Sequence, residues 1–332
     1  SSPSCLDVGG GAMEYELSRP QELQGQPEPT LLHREPGPAA GARQGARRRC
    51  RSAALLAALP ATCLAFAVWG SRPAAGPGQL SYAPGARASQ GLWSQEALGR
   101  RGQASFRRFF YNGTQHKISP WHDLPLGAGA EGEYWMVTEI PKMTRAKMEI
   151  ATKEPFNPIA QDLENGEPRK YHGPIYWNYG ALPQTWEDPT AKHPELGAFG
   201  DNDPLDVVEI GSRAHAEGEV VRVKVLTALA MIDGGELDWK VIVIATDDAL
   251  ASELHTAADV EARLPGYIPG IREWFRWYKA PSGKPLNTFG YGGEPLSRRG
   301  ALEVVKETHA AWQKLRSGER NRGALWAGAG GS

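Results

Sequence analysis

The sequence predicts a mainly β chain with accompanying helices (α+β), folded as a closed OB-like β barrel with the helices packed outside. Three observations carry that expectation. Strand-type segments, apolar or alternating, fill the stretch from Glu133 to Ala245. Helical periodicity begins only afterwards, near Pro269. Turn-forming Gly, Asn and Pro separate the strands. A run of strands followed by a run of helices suits a sheet closed on itself and covered by those helices.

Composition sets the edges of that unit. Residues 1–103, rich in Ala, Gly, Pro and Arg, read as a leader without a fold of its own; 104–318 form the globular domain, and 319–332 a flexible tail. Residues 1–103 carry 11 arginines against 7 acidic residues, whereas 104–332 carry 26 basic against 31 acidic residues. An acidic core argues against nucleic acid as its partner. It leaves room for an anionic substrate that arrives with its own cations. All three cysteines, Cys5, Cys50 and Cys63, precede the core, so any metal there is held by oxygen or histidine.

Within the leader, Arg47, Arg48, Arg49 and Arg51 precede an apolar run from Ala53 to Trp69, interrupted by Pro60 and Thr62 and succeeded by acid-poor sequence from Gly70 to Gln95. Basic flank, short apolar stretch and the Ala65-Phe66-Ala67 ending have the form of a signal segment, and the acid-poor stretch after it has the form of a transit peptide. The two in series predict a bipartite address to a plastid, with the core itself not held at a membrane. A mitochondrial address and a retained membrane anchor are the alternatives, the run being at the lower edge of a membrane span in length.

The core opens near Phe106. Glu133 to Ile140 is rich in β-formers and stops at Pro141; Ala146 to Ile150 alternates polar and apolar residues. A polar loop through Asn165-Gly166 leads to Arg169, and Trp177 to Pro189 is aromatic and turn-rich. Val220 to Ile232 gives one long strand or two, and Trp239 to Ala245 another. Of the helices, one has Pro269 in its first turn and Ile271, Trp274, Phe275 and Tyr278 on one face. A second runs from about Ala301 to Leu315, with Gly318 placed to end it.

Between these strands lies Asp201-Asn202-Asp203-Pro204-Leu205-Asp206, with three carboxylates in six residues. Pro204 removes a donor and keeps Asp203 out of helical conformation, so the segment is extended or turned. If extended, Asp201 and Asp203 point the same way. Such a group is costly unless a cation neutralises it or a carboxylate keeps a proton. Oxygen-only ligands favour Mg²⁺, Mn²⁺ or Ca²⁺. A solvated turn has the same spacing, but Val207, Val208 and Ile210 tie this loop to a buried strand. An EF-hand is excluded, because its required positions hold Leu205, Asp206 and Ser212. Glu139, Lys147, Glu149, Asp233, Asp238, Lys240, Tyr278 and Lys279 recur on strand or helix ends. Together they supply carboxylates for metals and Lys and Tyr for phosphoryl oxygens.

Several motifs in order then carry a resemblance: Val137-Thr138-Glu139-Ile140-Pro141, Asn178-Tyr179-Gly180, Pro183 to Pro189 (Pro-Gln-Thr-Trp-Glu-Asp-Pro), Asp201 to Val207, and Gly235 to Lys240. From Ser105 to Gly318 the chain resembles the family I soluble inorganic pyrophosphatases of eukaryotic type. The resemblance implies Mg²⁺-dependent hydrolysis of pyrophosphate to two phosphates by metal-activated water, and it leaves a homodimer open. It implies Asp201, Asp206 and Asp238 as the main Mg²⁺ ligands, with Asp233 and Glu149 completing the cluster. It implies Asp203 as acceptor of the proton from the attacking water, and Lys147, Tyr179 and Lys240 as further catalytic groups. Arg169, Lys147, Lys240, Tyr278 and Lys279 would hold the phosphates, with Glu139 an additional acid in the pocket. One departure stands out. The family's tyrosine four residues before Tyr179 is Ile175 here, and Tyr176 or Tyr171 would have to replace it.

Overall fold

The β-branched and aromatic segments of the sequence become strands, and the computed structural model describes them within residues 92–328. In chain order they are β1 (Trp93–Leu98), β2 (Arg107–Asn112), β3 (Lys117–Ile118), β4 (Glu133–Ile140), β5 (Thr144–Ala146), β6 (Met148–Ile150), β7 (Ile159–Gln161), β8 (Leu163–Glu164), β9 (Glu167–Pro168), β10 (Lys170–Ile175), β11 (Asn178–Ala181), β12 (Phe199–Gly200), β13 (Asp206–Glu209), β14 (Val220–Asp233), β15 (Glu236–Ala245) and β16 (Thr288–Phe289). The helices are α1 (Ala257–Arg263), α2 (Tyr267–Trp277) and α3 (Arg298–Ser317). The chain is therefore α+β, mostly sheet with a few helices.

Five strands pair in a ring. β14 lies antiparallel to both β4 and β15, β15 is parallel to β13, β13 is antiparallel to β11, and β11 is antiparallel to β4. Two sequence features make this possible. Val220 to Asp233 is a single strand, bent by a register shift between Val225 and Thr227, which lets it serve two neighbours. Gly234-Gly235, both at positive φ, then turn the chain directly into β15. Apolar side chains fill both faces: Val208, Leu229 and Ile242 on one side, Val207, Val223 and Val241 on the other. The helices close those faces. Ile268, Ile271 and Phe275 of α2 join the first cluster, and Ala301, Val304 and Val305 of α3 join the second.

The helix ends obey their caps. Ser297 accepts from the Gly300 N–H at the start of α3, and Gly318 ends it in the left-handed conformation. Asn165 and Gly166, both at positive φ, form the tight hairpin between β8 and β9. The strand expected over Ala146–Ile150 is instead two short strands separated at Lys147. Helix α1 was not expected, although Thr256 and Asp259 form a capping box that the sequence displays.

The domain edges also differ from those expected. Trp93–Leu98 lies upstream of residue 104, yet β1 pairs residue for residue with β2, and Trp93 packs edge-to-face on Trp135 at 5.3 Å. This edge strand is mostly exposed, so it has no apolar alternation to betray it. Downstream of residue 318, Leu325 and Ala327 are buried. The Trp326 N–H donates to the Thr152 carbonyl (2.9 Å). His122 Nε2 donates to the Trp326 carbonyl (3.0 Å), while His122 Nδ1 accepts from the Trp312 indole (2.8 Å). The apolar run Ala53–Trp69 and the other residues of the leader up to 91 lie outside the described residues. Among the described residues no helix is long and apolar enough to cross a membrane.

Candidate active site

Strand pairing assembles the site. Asp206 opens β13 and stands opposite Lys240 of β15; Asp238, two residues earlier, shares the face of Lys240. Lys240 is 2% exposed. Its Nζ donates to Asp206 Oδ2 (2.5 Å), to Asp238 Oδ1 and to the Tyr179 hydroxyl oxygen (3.2 Å), and Tyr179 donates to the same Asp206 oxygen. Tyr179 reaches this point because β11 runs close to β4. A Cβ on Gly180 would lie 1.9 Å from the Val137 carbonyl oxygen, so only glycine allows the approach.

The acidic loop is turned, not extended. Asn202 has φ of 74°, and the Asp203 N–H donates to Asp201 Oδ1 (3.1 Å). A second loop, Pro183 to Pro189, holds it in shape. The Asn202 N–H donates to the Glu187 carbonyl (3.0 Å) and the Glu187 N–H to the Asp203 carbonyl (2.9 Å). The Trp186 indole donates to Asn202 Oδ1 (3.1 Å), and the Leu205 N–H to Thr185 Oγ1 (2.9 Å).

Cations line the remaining walls. Lys147 is bonded to Glu149 and lies 3.2 Å from Asp162 Oδ2; Arg169 donates to the same Asp162 oxygen at 3.0 Å. The buried amide of Gln161 ties the carbonyls of Lys147 and Arg169 together, each at 2.8 Å. Opposite, Asp233 accepts from Lys279 and from the Tyr278 hydroxyl (3.0 Å). Glu139 is buried and accepts from the Ile150 N–H (2.7 Å).

Every site residue expected from the sequence therefore lines one cavity of about 350 Å³: Glu139, Lys147, Glu149, Arg169, Tyr179, Asp201, Asp203, Asp206, Asp233, Asp238, Lys240, Tyr278 and Lys279. Of the two tyrosines considered in place of Ile175, Tyr171 lines this cavity, its ring edge-on to Tyr278 at 5.9 Å. Tyr176 is 52% exposed, and Ile175 is wholly buried. Asp162 and Gln161 were missed, and nothing in their local sequence marks them. Glu187 stands inside a quoted motif, but no role was assigned to it.

Glu187, Asp201 and Asp238 form the one group of three carboxylates, among the described residues, whose ligand atoms all lie within 4.8 Å of one another. Asp206 is engaged instead by Lys240 and Tyr179. Like charges this close disturb their titration. Burial, then the charge of neighbouring aspartates, holds the Asp201 carboxyl well above the usual range, and burial pushes Asp238 up to about 7. Asp203 stands at the cavity mouth and is pushed up to about 6, by desolvation between the cavity walls and then by Glu149. Glu139 is raised well above the carboxylate range by burial and by Asp206. Burial works against charge on Lys240, but Asp206 and Asp238 outweigh it and hold its pKa well above the usual value. A divalent cation would favour the ionised carboxylates. The residues fit such an ion: every donor is oxygen, and Glu187 Oε2 is buried without a hydrogen-bond partner. Behind this group lies a second cavity of about 230 Å³, lined in part by Trp186, Glu187, His193 and Trp239.

Comparison with known proteins agrees with the chemistry of the site. The sequence profile of the inorganic pyrophosphatase family matches residues 136–313. The chloroplastic soluble inorganic pyrophosphatase 6 of Arabidopsis thaliana is 51% identical over 211 residues, which are 63% of this chain and 70% of that protein. The mitochondrial inorganic pyrophosphatase 2 of Mus musculus is 43% identical over 255 residues, 70% of this chain and 77% of that one. The crystal structure of an N-terminally truncated vacuolar soluble pyrophosphatase of Trypanosoma cruzi in complex with PPi superposes with a TM-score of 0.66 at 40% identity, covering 76% of this chain and 99% of that one. The chain belongs to the inorganic pyrophosphatase family and hydrolyses inorganic pyrophosphate to two phosphates.

Proposed function

We propose that pyrophosphate occupies the 350 Å³ cavity with Mg²⁺ as the metal, and that the residues there divide the work between them. Arg169 grips phosphate through its planar fork, while Lys147, Lys240 and Lys279 supply compact charge and Tyr278 and Tyr179 supply hydroxyls. Asp201, Asp206 and Asp238 hold Mg²⁺, with Asp233 and Glu149 at the edge of the cluster. When bound, the ion neutralises the leaving phosphate and acidifies a water. Asp203 accepts the proton of the attacking water; its position at the mouth and a carboxyl near 6 suit a base working near neutral pH. Glu139 adds a further acid, and Tyr171 stands in for the tyrosine that Ile175 replaces.

The observation that carries this reading is the convergence of all these side chains, drawn from seven strands, three connections between strands and the end of α2, on one cavity. Phosphate release from pyrophosphate, measured with Mg²⁺ and again in excess chelator, tests it. Activity indifferent to the chelator would sink the metal assignment.

The five-strand ring supports a closed OB-like barrel, since β14 is paired along both its edges. We assign the catalytic domain to residues 92–328, and residues 1–91 to a leader addressed to a plastid. Support comes from the basic and apolar composition of the leader and from the chloroplastic relative. A mitochondrial address or a membrane anchor is the competing outcome when the leader is fused to a fluorescent reporter. The acidic balance of the core speaks against a nucleic-acid partner. The reading is compatible with a homodimer and does not require stable membrane association of the core.

A further inference from the structure

Glu187 enters the site from behind. It is not among the residues that line the substrate cavity, and its side chain is 3% exposed. One carboxylate oxygen, Oε1, accepts from the Trp239 N–H at 2.9 Å. The other, Oε2, has no partner although it is buried. An ionised carboxylate with a bare, buried oxygen costs several kcal/mol unless something compensates it. Its surroundings make the cost larger, since Asp201 and Asp238 bring their own carboxylate oxygens within 4.8 Å.

Among the described residues, no side-chain cation is bonded to Glu187 in return. Lys240, which neutralises Asp238, spends its donors on Asp238, Asp206 and Tyr179. Arg320 is ion-paired with the neighbouring Asp188 instead (3.0 Å). The position of Glu187 is nonetheless fixed from both sides. Its backbone is hydrogen-bonded into the acidic loop at Asn202 and Asp203, and its Oε1 is pinned to β15 beside Asp238. The bare oxygen cannot swing away to water without breaking those bonds. A rigid, oxygen-only trio with one unmet acceptor is what a hard divalent cation completes.

We propose that Glu187, Asp201 and Asp238 together bind a divalent cation at the floor of the active site, with Glu187 a ligand supplied from the side opposite the substrate. The inference rests on the metal-dependent pyrophosphatase reading and extends its ligand set to a residue in the Pro183–Pro189 loop. It makes that loop part of the metal centre. The loop would then hold the acidic turn in its bound shape through the ion as well as through hydrogen bonds.

The test compares the full chain with its Glu187→Gln variant. Gln keeps an acceptor for the Trp239 N–H and turns the bare oxygen into an amide that can donate to Asp201 or Asp238. In EDTA the variant is therefore expected to melt at the same temperature as the parent or higher. In Mn²⁺ the order should reverse, with the parent gaining more than the variant. Mn²⁺ titration monitored by electron paramagnetic resonance without substrate should show one site weakened by about tenfold or more, or lost. Asp201→Asn should weaken the same site. Retention of the parent's Mn²⁺ number and affinity by Glu187→Gln would overturn the proposal, as would a variant that melts lower in EDTA and responds to Mn²⁺ like the parent. Failure of the broader reading is separable, because it would appear as an absence of Mg²⁺-dependent phosphate release in the parent chain itself.

Discussion

Asp206 and Lys240 stand directly opposite each other in the parallel pairing of β13 and β15, joined at 2.5 Å from Nζ to Oδ2 with Lys240 almost fully buried. That lysine is the resident counter-charge of the site. Replacing it by Met leaves Asp206 and Asp238 packed together without a cation. The loss of one partner from a buried ion pair typically costs roughly 3–5 kcal/mol. Lys240→Met should melt well below the parent in EDTA and recover part of the difference in saturating Mg²⁺, which neutralises the same carboxylates. Turnover should stay low, since the lysine would also contact phosphate. A melting temperature insensitive to Mg²⁺ would show that the carboxylates it pairs with do not bind the ion.

Asp203 and Asp206 should separate by role. Asp203→Asn is expected to lower turnover about 10²–10⁴-fold, the usual contribution of a general base, with metal affinity little changed. Asp206→Asn should weaken metal binding itself. Metal titration of each variant, then turnover at saturating Mg²⁺, distinguishes them. Full recovery of both at high Mg²⁺ would remove Asp203 from the role of base.

Metal exchange gives an independent check. Ca²⁺ should bind yet support little turnover, because its loose and variable coordination does not hold water and phosphate in line. Calorimetric binding of Ca²⁺ set beside its phosphate-release rate tests this. Equal rates in Ca²⁺ and Mg²⁺ would count against the geometry.

The position of β1 predicts where the leader can be cut. Removal of residues 1–91 should leave a folded, active enzyme, since every site residue lies beyond it. Removal of residues 1–103 also deletes β1, frees one edge of β2 and strips Trp93 from Trp135. The shorter product should melt several degrees lower and aggregate more readily through the bared edge. Differential scanning calorimetry of the two truncations decides between this boundary and the one that composition alone suggests.

His215, Glu219 and His122 contribute to the pH dependence of stability away from the cavity. His215 Nε2 lies 3.1 Å from Glu209 Oε2, both fully buried. Burial opposes charge on His215, but Glu209 and Glu219 outweigh it and raise its pKa. Its contribution is complete below the unfolded value of about 6.5 and lost as pH rises through the folded value. Glu219 is held down at about 2, burial being outweighed by the nearby His215 ring (Nδ1 3.7 Å from Oε1) and by hydrogen bonds from the Ala216 N–H and Arg213, so its contribution is lost only as pH falls from about 4.5 toward 2. His122 runs the other way. Burial pushes it down to about 3, and the fold loses stability as pH falls below about 6.5. Thermal melts across pH should show His215→Gln flattening the alkaline limb, and a neutral replacement of His122 flattening the acidic one. Unchanged limbs would remove these groups from the account.

Most of the site was legible because its residues sit on motifs, and motifs survive any uncertainty about register. Glu133–Ile140 was legible through its concentration of β-formers, and Val220–Asp233 because its β-branched and apolar residues are interrupted at first only on alternate positions, Arg222 and Lys224. Helix α2 showed its face through Ile271 and Phe275. The features hidden in the sequence obey the same physics. The edge strand Trp93–Leu98 is exposed, so nothing selects alternation there. Asp162 and Gln161 act through bonds to backbone carbonyls and to side chains seven or more residues away, a relation that exists only once β7 has paired with β6. Glu187 could be seen but not read, because its meaning comes from Asp201 and Asp238 on other segments. Tyr171 and Ile175 are both buried side chains of β10, and only the assembled cavity distinguishes them, since Tyr171 lines it and Ile175 does not.

The ring of strand pairings has a consequence for the order in which the protein can assemble. The β14–β15 hairpin closes through two glycines, a local event on the microsecond scale for such hairpins in general. The β4–β14 pairing brings together Val137 and Val220, 83 residues apart, and the parallel β13–β15 pairing that sets Asp206 beside Lys240 spans 34. Non-local pairings of this kind form slowly, because loop entropy is lost before any contact compensates it. The acidic loop is the chain's own connection into β13. The candidate ligands Asp206 and Asp238 therefore meet only when β13 docks against β15, and until that junction forms the chain has no complete cradle in which a cation could be held.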